Sequence, residues 1–348
     1  MGEKDSATSK PVDLLQPGQL VAKKWKVIKK IGEGGFGAVY EVTDTKNNKE
    51  TSFAMKCESV KESSQVLKTE VAVLRRAKGR THFCAFLGCG RTPDFNFVVM
   101  GLVGKNLTEL RREAKDLKFS LSTAVRIGFQ CGRAIQDLHS IGFIHRDIKP
   151  SNYAMGYSGP SKRIVYILDF GLARMYVNDA GLVRVPRTQA GFRGTIRYAS
   201  INCHQNRELG RQDDLWSLFY MIIELINGSL PWRNVMDKEE CCRLKEAVPI
   251  SVLLRGCPEE FYAIRHHLSS LRYADCPSYG YIFGLMDKIL RRIKARMEDP
   301  YDWEQQLFTR LKNPVGPGPS VSPDVKRIKD SKVPSQDKTG RSIENPFQ

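Results

Sequence analysis

Phe143-Ile144-His145-Arg146-Asp147-Ile148-Lys149-Pro150-Ser151-Asn152 is the stretch from which the rest of this chain is read. A short apolar run, Ile164 to Leu168, follows it and ends in Asp169-Phe170-Gly171. Two loops close in sequence thereby deliver two carboxylates (Asp147, Asp169), one amide (Asn152) and one lysine (Lys149). Such a set can hold a divalent metal on a polyphosphate and accept a proton from a hydroxyl. The first loop fits H-R-D-x-x-x-x-N and the second fits D-F-G. Either match alone is within reach of chance. Both in this order, a short hairpin apart, form a specific signal.

Upstream, Gly32-Glu33-Gly34-Gly35-Phe36-Gly37 is a G-x-G-x-x-G. Glycine-rich turns also occur as plain hairpins, so the flanking residues decide. Trp25 to Ile31 alternates apolar and basic side chains, which predicts a half-exposed strand. Ala38-Val39-Tyr40-Glu41-Val42 follows and is strand-like as well. A dinucleotide fold needs a helix directly after the glycines, and no Gly-Lys-Ser/Thr follows for a Walker loop. The glycines therefore form a flap between two antiparallel strands, where bare backbone N–H groups can approach phosphate oxygens. Ser52 to Cys57 reads as a third strand that carries Lys56. A lysine in an apolar strand is costly unless an anion partners it. Glu70 supplies one: it lies in a helix predicted over Ser63 to Ala77, on the face shared by Val66, Val73 and Ala77. A Lys56–Glu70 pair would aim the ammonium at the α- and β-phosphates.

Phe83 to Gly90 and Phe95 to Met100 read as further strands. After Asn106 the period becomes mostly helical. Leu121, Ala124, Ile127, Cys131, Ile135 and Leu138 mark a helix leading into the loop at Asp147. Leu215, Leu218, Phe219, Ile222 and Leu225 mark another, apolar nearly all round and hence buried. Strands first and helices after predict an α+β chain of two lobes with a cleft between them. The expected organisation is a flexible arm over 1–20, a strand-rich lobe over 21–101, a helical lobe over 102–310 and a disordered basic tail over 311–348.

The 348 residues carry a formal net charge of +17, which favours acidic partners. No motif for RNA or DNA accompanies the charge, so specific nucleic-acid binding is not expected. No window approaches the ~18 apolar residues of a membrane span. The N-terminus lacks the apolar run of a secretory signal, although Gly2 with Ser6 fits the bare myristoylation pattern. None of the nine cysteines forms C-x-x-C, and no Cys/His cluster has zinc spacing. Reduced thiols in a cytoplasmic protein, or a nuclear one, are the expectation. The pair His266-His267 has no third ligand nearby and reads as surface.

Taken together, these motifs resemble the eukaryotic protein kinase fold over roughly residues 20 to 305. Most kinases carry Ala-Pro-Glu after the activation segment. Here Tyr198-Ala199-Ser200-Ile201-Asn202 stands in that place, which resembles the casein kinase 1 superfamily. Lys149-Pro150-Ser151-Asn152, Ala190-Gly191-Phe192-Arg193-Gly194-Thr195 and Asp213-Asp214-Leu215-Trp216-Ser217-Leu218 look most like the tau-tubulin kinases. The resemblance implies a bilobal fold and transfer of the ATP γ-phosphate to Ser or Thr hydroxyls of acidic or pre-phosphorylated proteins. Asp147 would be the base, Lys149 would steady the γ-phosphate, and Asn152 and Asp169 would ligate Mg2+. Lys56, held by Glu70, would bind the α- and β-phosphates. Ile31, Gly32, Glu33, Gly34, Gly35, Phe36, Gly37, Val39 and Ala54 would surround the nucleotide. Met100 falls at the gatekeeper position, with Gly101, Leu102 and Val103 at the adenine hinge. Arg146 would organise the activation segment, and Asp214 would cap the catalytic loop from the buried helix.

For substrate anions the resemblance points to Arg197 and, less directly, to Arg193 and Arg243; the competing reading of Arg197 is a charge pair inside the activation segment. Gly101 departs from the charged or polar residue usual at the hinge, which would loosen it or leave room by the adenine. Tubulin or tubulin-associated proteins are the partners the resemblance suggests, with a monomer expected. The competing reading is a catalytically silent kinase-fold scaffold that binds acidic partners. Intact Lys56, Asp147 and Asp169 weigh against it.

Overall fold

A computed structural model describes residues 14–34, 37–46, 51–60 and 66–304. The first part is an antiparallel sheet. Its early strands are β1 (Leu20–Val21), β2 (Trp25–Gly34), β3 (Gly37–Asp44) and β4 (Ser52–Ser59). The helix α1 (Val66–Arg76) follows, and then β5 (Phe86–Arg91) and β6 (Phe95–Gly101). The strand order is β1-β2-β3-β4-β6-β5. In β2, Trp25 and Val27 are buried while Lys26 and Lys29 are exposed, as the alternation predicted. Irregularities between Val27 and Lys29 and between Lys30 and Gly32 then shift the register and leave Ile31 42% exposed above the cleft.

One face of the sheet packs Trp25, Tyr40, Val42, Met55, Phe97 and Val99 into a core of its own. Leu15 closes that core. It is 2% exposed, and its backbone N–H donates to the Tyr40 hydroxyl at 3.3 Å. The arm expected over 1–20 does not include residues 14–20. Residues 14–20 belong to the fold because Leu14 and Leu15 cover an apolar sheet face, and residues 1–13 lie outside the described residues. The helix expected over Ser63–Ala77 is described from Val66 to Arg76, residues 63–65 lying outside. Strand β5 starts at Phe86 rather than Phe83, because Phe83 pairs instead with Ile167 from the second part of the chain.

That second part opens with β7 (Val103–Asn106) and α2 (Leu107–Glu113), where Asn106 and Glu109 form a reciprocal capping box. Next come α3 (Leu121–Ser140), β8 (Phe143–Ile144), β9 (Tyr153–Gly156), β10 (Val165–Ile167) and β11 (Arg174–Met175). Strands β9 and β10 form the hairpin that carries the Asp147 loop on one side and Asp169 on the other. Helices α4 (Ile201–His204), α5 (Arg211–Asn227), α6 (Lys238–Ala247), α7 (Ile250–Leu253), α8 (Glu260–Ser270) and α9 (Tyr279–Arg292) complete the element order.

Helix α5 is the centre of the helical lobe. Leu215, Leu218, Phe219, Ile222 and Leu225 are all buried, and so are Ala124, Ile127, Cys131, Ile135 and Leu138 of the facing α3. Truncating one such leucine or isoleucine to alanine costs about 2–5 kcal/mol. This core is continuous with Ala54, Leu67, Val98 and Met100 of the sheet lobe, so the floor of the cleft is fixed to both. The architecture is the α+β, two-lobed one expected. No helix among the described residues is long and apolar enough to cross a membrane. His266 is exposed and His267 half-buried. The tail expected over 311–348 and the Gly2 pattern lie outside the described residues.

Candidate active site

The two lobes enclose a cleft of about 950 Å³. Its roof is the β2–β3 flap, represented by Ile31, Gly32, Glu33, Gly37 and Val39. Gly34 pairs with Gly37 at the tip, and Gly35 and Phe36 lie outside the described residues. Gly37 is required where it stands. Its φ is +141°, and a Cβ built on it would lie 1.9 Å from the Cys57 carbonyl oxygen. Gly37→Ala is expected to prise β3 from β4, to cost about 1–3 kcal/mol and to raise the KM for ATP. Thermal unfolding together with nucleotide titration checks both effects.

Strand β4 places Lys56 between Val39 and Val98 in the ladder, and Ala54 lies on the cleft wall. Lys56 Nζ donates to Glu70 Oε2 at 2.6 Å and to Asp169 Oδ1 at 2.9 Å. The pair anticipated on charge-burial grounds is present, with a second carboxylate added from across the cleft. Burial pulls the Lys56 pKa down, but Glu70 and Asp169 outweigh it and hold it above its ordinary value. Burial likewise pushes Asp169 up, and Lys56 overrides that to keep it below the usual carboxylate range. Both groups stay charged at neutral pH, so the cleft keeps a fixed ammonium beside an available carboxylate.

The back wall runs through Met100, Gly101, Leu102 and Val103, where β6 passes into β7. Gly101 is bonded into the sheet on both sides. It pairs with Phe53, and its N–H donates to the Ala85 carbonyl at 3.0 Å. A Cβ there would meet its nearest neighbour, Ala85 N, at 3.5 Å, an ordinary contact. The space a side chain would take is therefore left open.

On the floor, Asp147 is 8% exposed, and its carboxylate pairs with Lys149 Nζ at 2.7 Å. Asn152 Nδ2 donates to the Asp147 carbonyl at 2.9 Å. No hydrogen bond among the described residues engages the Asn152 amide oxygen. That oxygen and the Asp169 carboxylate are hard donors suited to Mg2+. No group of three or more His, Cys, Asp or Glu side chains forms a metal site among the described residues. Asn152 and Asp169 are the residues that would hold Mg2+ here, and the ion would supply charge to neutralise phosphate.

The loop itself is held from below. Asp214, at the start of α5, accepts from the backbone N–H groups of His145 (2.7 Å) and Arg146 (2.8 Å) and from His139 Nε2 (2.8 Å). Burial would raise the Asp214 pKa, but the hydrogen bond and charge of His139 and the contact with His145 outweigh it, leaving the group below its ordinary value. His145 is wholly buried. Its Nδ1 accepts the Asp147 N–H at 3.3 Å, so Nε2 carries the proton and donates to Leu168 O at 3.0 Å. A single imidazole thus ties the Asp147 loop to the Asp169 loop.

Residues 25–270 match the protein kinase domain family. This chain is a protein kinase domain. A probable serine/threonine-protein kinase of Dictyostelium discoideum is 43% identical over 289 residues, and the match covers 83% of this chain and 58% of that protein's length. A putative serine/threonine-protein kinase of Caenorhabditis elegans is 35% identical over 324 residues, 92% of each chain. A putative casein kinase I of the same organism is 32% identical over 305 residues, covering 85% of this chain and 88% of that protein.

In this kinase the segment after Asp169 folds back onto the catalytic loop. Gly194 has φ +105°, and a Cβ on it would lie 2.4 Å from the Arg146 carbonyl oxygen, so only glycine lets the two backbones touch. The neighbouring Thr195 hydroxyl donates to Asp147 Oδ1 at 2.7 Å and accepts from Lys149 Nζ at 3.3 Å. Sequence reasoning gave Thr195 no role; only its place beside Gly194 hinted at one. The Ser-Ile-Asn replacement also has a physical basis. Ser200 Oγ and Asn202 Nδ2 both donate to Asp213 Oδ1, at 2.7 and 3.0 Å. Burial pushes the Asp213 carboxyl up to about 6.

Arg146 Nε donates to Leu172 O at 2.7 Å, which joins the loop to the start of the activation segment. Burial, then the charges of Arg174 and Arg187, push its guanidinium down to about 10. Glu208 acts against those charges and pairs with both Arg174 and Arg187. Glu208, Arg174 and Arg187 were missed, because no local pattern marks three residues so far apart in sequence.

The arginines proposed for substrate anions do not line the nucleotide cleft. Arg197 donates to Glu224 Oε1 at 3.4 Å and to the Arg233 carbonyl at 3.2 Å, with 35% of its side chain exposed. Arg193 folds onto the neighbouring Phe192 carbonyl, and Arg243 is exposed on α6.

Proposed function

We propose that this protein is a serine/threonine kinase that selects acidic or phosphorylated segments, with its nearest functional kin among the tau-tubulin branch of the casein kinase 1 superfamily. The observation that carries the catalytic part is the convergence of Lys56, Asp147 and Asp169 on one cleft whose roof has no side chain at Gly37. When bound, ATP supplies the phosphoryl group and Mg2+ supplies the Lewis-acid charge that neutralises it. Lys56, fixed by Glu70, would take the inner phosphates, and Asn152 and Asp169 would hold the metal. Asp147 orients the incoming hydroxyl and takes its proton on the carboxylate that Thr195 and Lys149 hold in place. Lys149 places its ammonium beside that oxygen, where negative charge develops. Positioning and charge account for the rate, since phosphoryl transfer asks for little else from the protein.

The preference for anions rests on Glu224. This carboxylate is fully buried on α5 and faces two guanidiniums, Arg111 at 3.0 Å and Arg197 at 3.4 Å, as well as the Tyr198 hydroxyl at 2.5 Å. One negative charge against two positive ones leaves a net cation, and Arg197 is its exposed half. Arg197 is paired, and on this reading it retains charge for a partner. Arg197→Gln is expected to raise the KM for an Asp-rich serine peptide about ten-fold, a loss of about 1.4 kcal/mol, while the KM for ATP stays within two-fold. Equal losses for acidic and neutral peptides would remove Arg197 from substrate selection. Tubulin-associated substrates, a monomeric state and a cytoplasmic site of action complete the proposal; the +17 charge is consistent with acidic tubulin tails as partners.

A further inference from the structure

Lys245 lies in the third turn of α6, four residues beyond the buried Cys241 and on the same face. It is 8% exposed and has no carboxylate in ion-pair reach among the described residues. Its Nζ donates to the carbonyls of Ile196 (2.8 Å) and Ala199 (2.7 Å), and its third proton points to His204 Nε2 at 3.0 Å. The rings of Tyr220 and Trp232 stand 5.2 and 5.3 Å from the ammonium. Trp232 Nε1 donates to the Arg197 carbonyl at 2.8 Å. Three carbonyls within Thr195–Ser200 are thus gripped, two by Lys245 on α6 and one by Trp232 in the segment after α5. The same segment carries Thr195, which touches Asp147, and Arg197, which is proposed above to meet substrate anions.

We propose that Lys245 is a positioning residue for the protein substrate, a buried ammonium whose charge holds the Thr195–Ser200 segment in its substrate-accepting shape. The proposal rests on the serine/threonine kinase reading above. Its charge is poorly sheltered. Burial pushes the Lys245 ammonium down to about 8, with the thiols Cys241, Cys203 and Cys242 acting weakly the other way. His204, the titratable group facing it from α4, is kept neutral by burial and by Lys245, down at about 4, and Lys238 lies beyond it. Tyr220 faces it from α5 and is raised by burial. His204 and Tyr220 do not change charge between pH 7 and 9.5. Above pH 8 the amine loses a donor and the charge–carbonyl contacts weaken. The sign separates this from unfolding. A lysine whose folded pKa lies below its free value gains stability for the fold as pH rises from about 8 to about 10.5, so substrate use should fail while this group does not weaken the fold.

The test is steady-state kinetics on the full chain from pH 7 to 9.5, with a blocked peptide of Asp, Ala and one Ser, which has no group titrating there. In the wild type the peptide KM is expected to rise about ten-fold with a midpoint near 8 while the KM for ATP stays flat. Lys245→Met should show the high peptide KM already at pH 7 and no alkaline rise. Parallel profiles in the two proteins, or equal changes in both KM values, would overturn the proposal. If the variant fails to fold, the wild-type profile decides: a peptide KM flat to pH 9.5 overturns it, and a rise with an unchanged thermal midpoint supports it. Product at pH 7 with no alkaline change sinks this inference alone, whereas no product at any pH sinks the kinase reading with it.

Discussion

Asp147→Asn is expected to lower kcat by about 10²–10⁴-fold, the range for removing a general base, while the protein stays folded and binds nucleotide. The geometry separates these effects. Asparagine is the same size and keeps one oxygen for the Thr195 hydroxyl, now at 2.7 Å. It loses the charge that pairs with Lys149 and the basicity that would take the substrate proton. On the proposed reading the nucleotide and its metal would be held by Lys56, Asn152, Asp169 and the flap, none of which is altered. Rate of phosphate transfer, nucleotide Kd and Tm, measured on the same preparation, check the claim. A variant with kcat within two-fold of wild type would remove Asp147 from its role.

Asp214→Ala is expected to damage the fold itself. Asp214 is 2% exposed and accepts three hydrogen bonds, two of them from backbone N–H groups of the catalytic loop. Alanine would leave those donors buried without partners, at about 1–3 kcal/mol each. A total of roughly 3–9 kcal/mol is a large share of the 5–15 kcal/mol that holds an ordinary domain. Tm should fall by on the order of 10 °C, and activity should fall with it, because His145 and Arg146 aim the loop that presents Asp147. The pH dependence follows from the lowered Asp214 pKa. The stability it confers is complete above the ordinary carboxylate value near 4 and is lost as pH falls through the lower folded value. Wild type should therefore lose more stability on acidification below about pH 4 than the variant does. Chemical denaturation at several pH values reads this directly.

Much of the cleft was legible in the sequence because its chemistry is local. Asp147 and Asn152 sit on one loop at a fixed offset, and Asp169 follows within one hairpin. Lys56 announced itself by being a charge in an apolar strand, and Glu70 by lying on the buried face of a helix. The helical lobe was legible for a similar reason, since α3 and α5 keep their apolar spacing over several turns. What escaped depends on contacts between residues far apart in the chain. Phe83 leaves the β5 strand because Ile167 offers it a partner across the lobes. Leu14 and Leu15 look like part of a loose arm until the sheet face they cover is in place. Thr195 gains its role from the close approach at Gly194, Glu208 from two arginines on separate elements, and Lys245 from carbonyls that only the folded activation segment presents. Burial of charge marks Glu208 and Lys245, and charge burial shows in a sequence only when the apolar setting is local.

Transfer of labelled γ-phosphate from Mg-ATP to the serine of an Asp-rich peptide by the purified full chain, with Asp147→Asn as the blank, tests the assembled cleft most directly. Label on the serine, far above the blank and dependent on Mg2+, is the predicted result. No label on the peptide above the blank, with nucleotide bound and unconsumed, would contradict the account and leave a kinase fold that only binds.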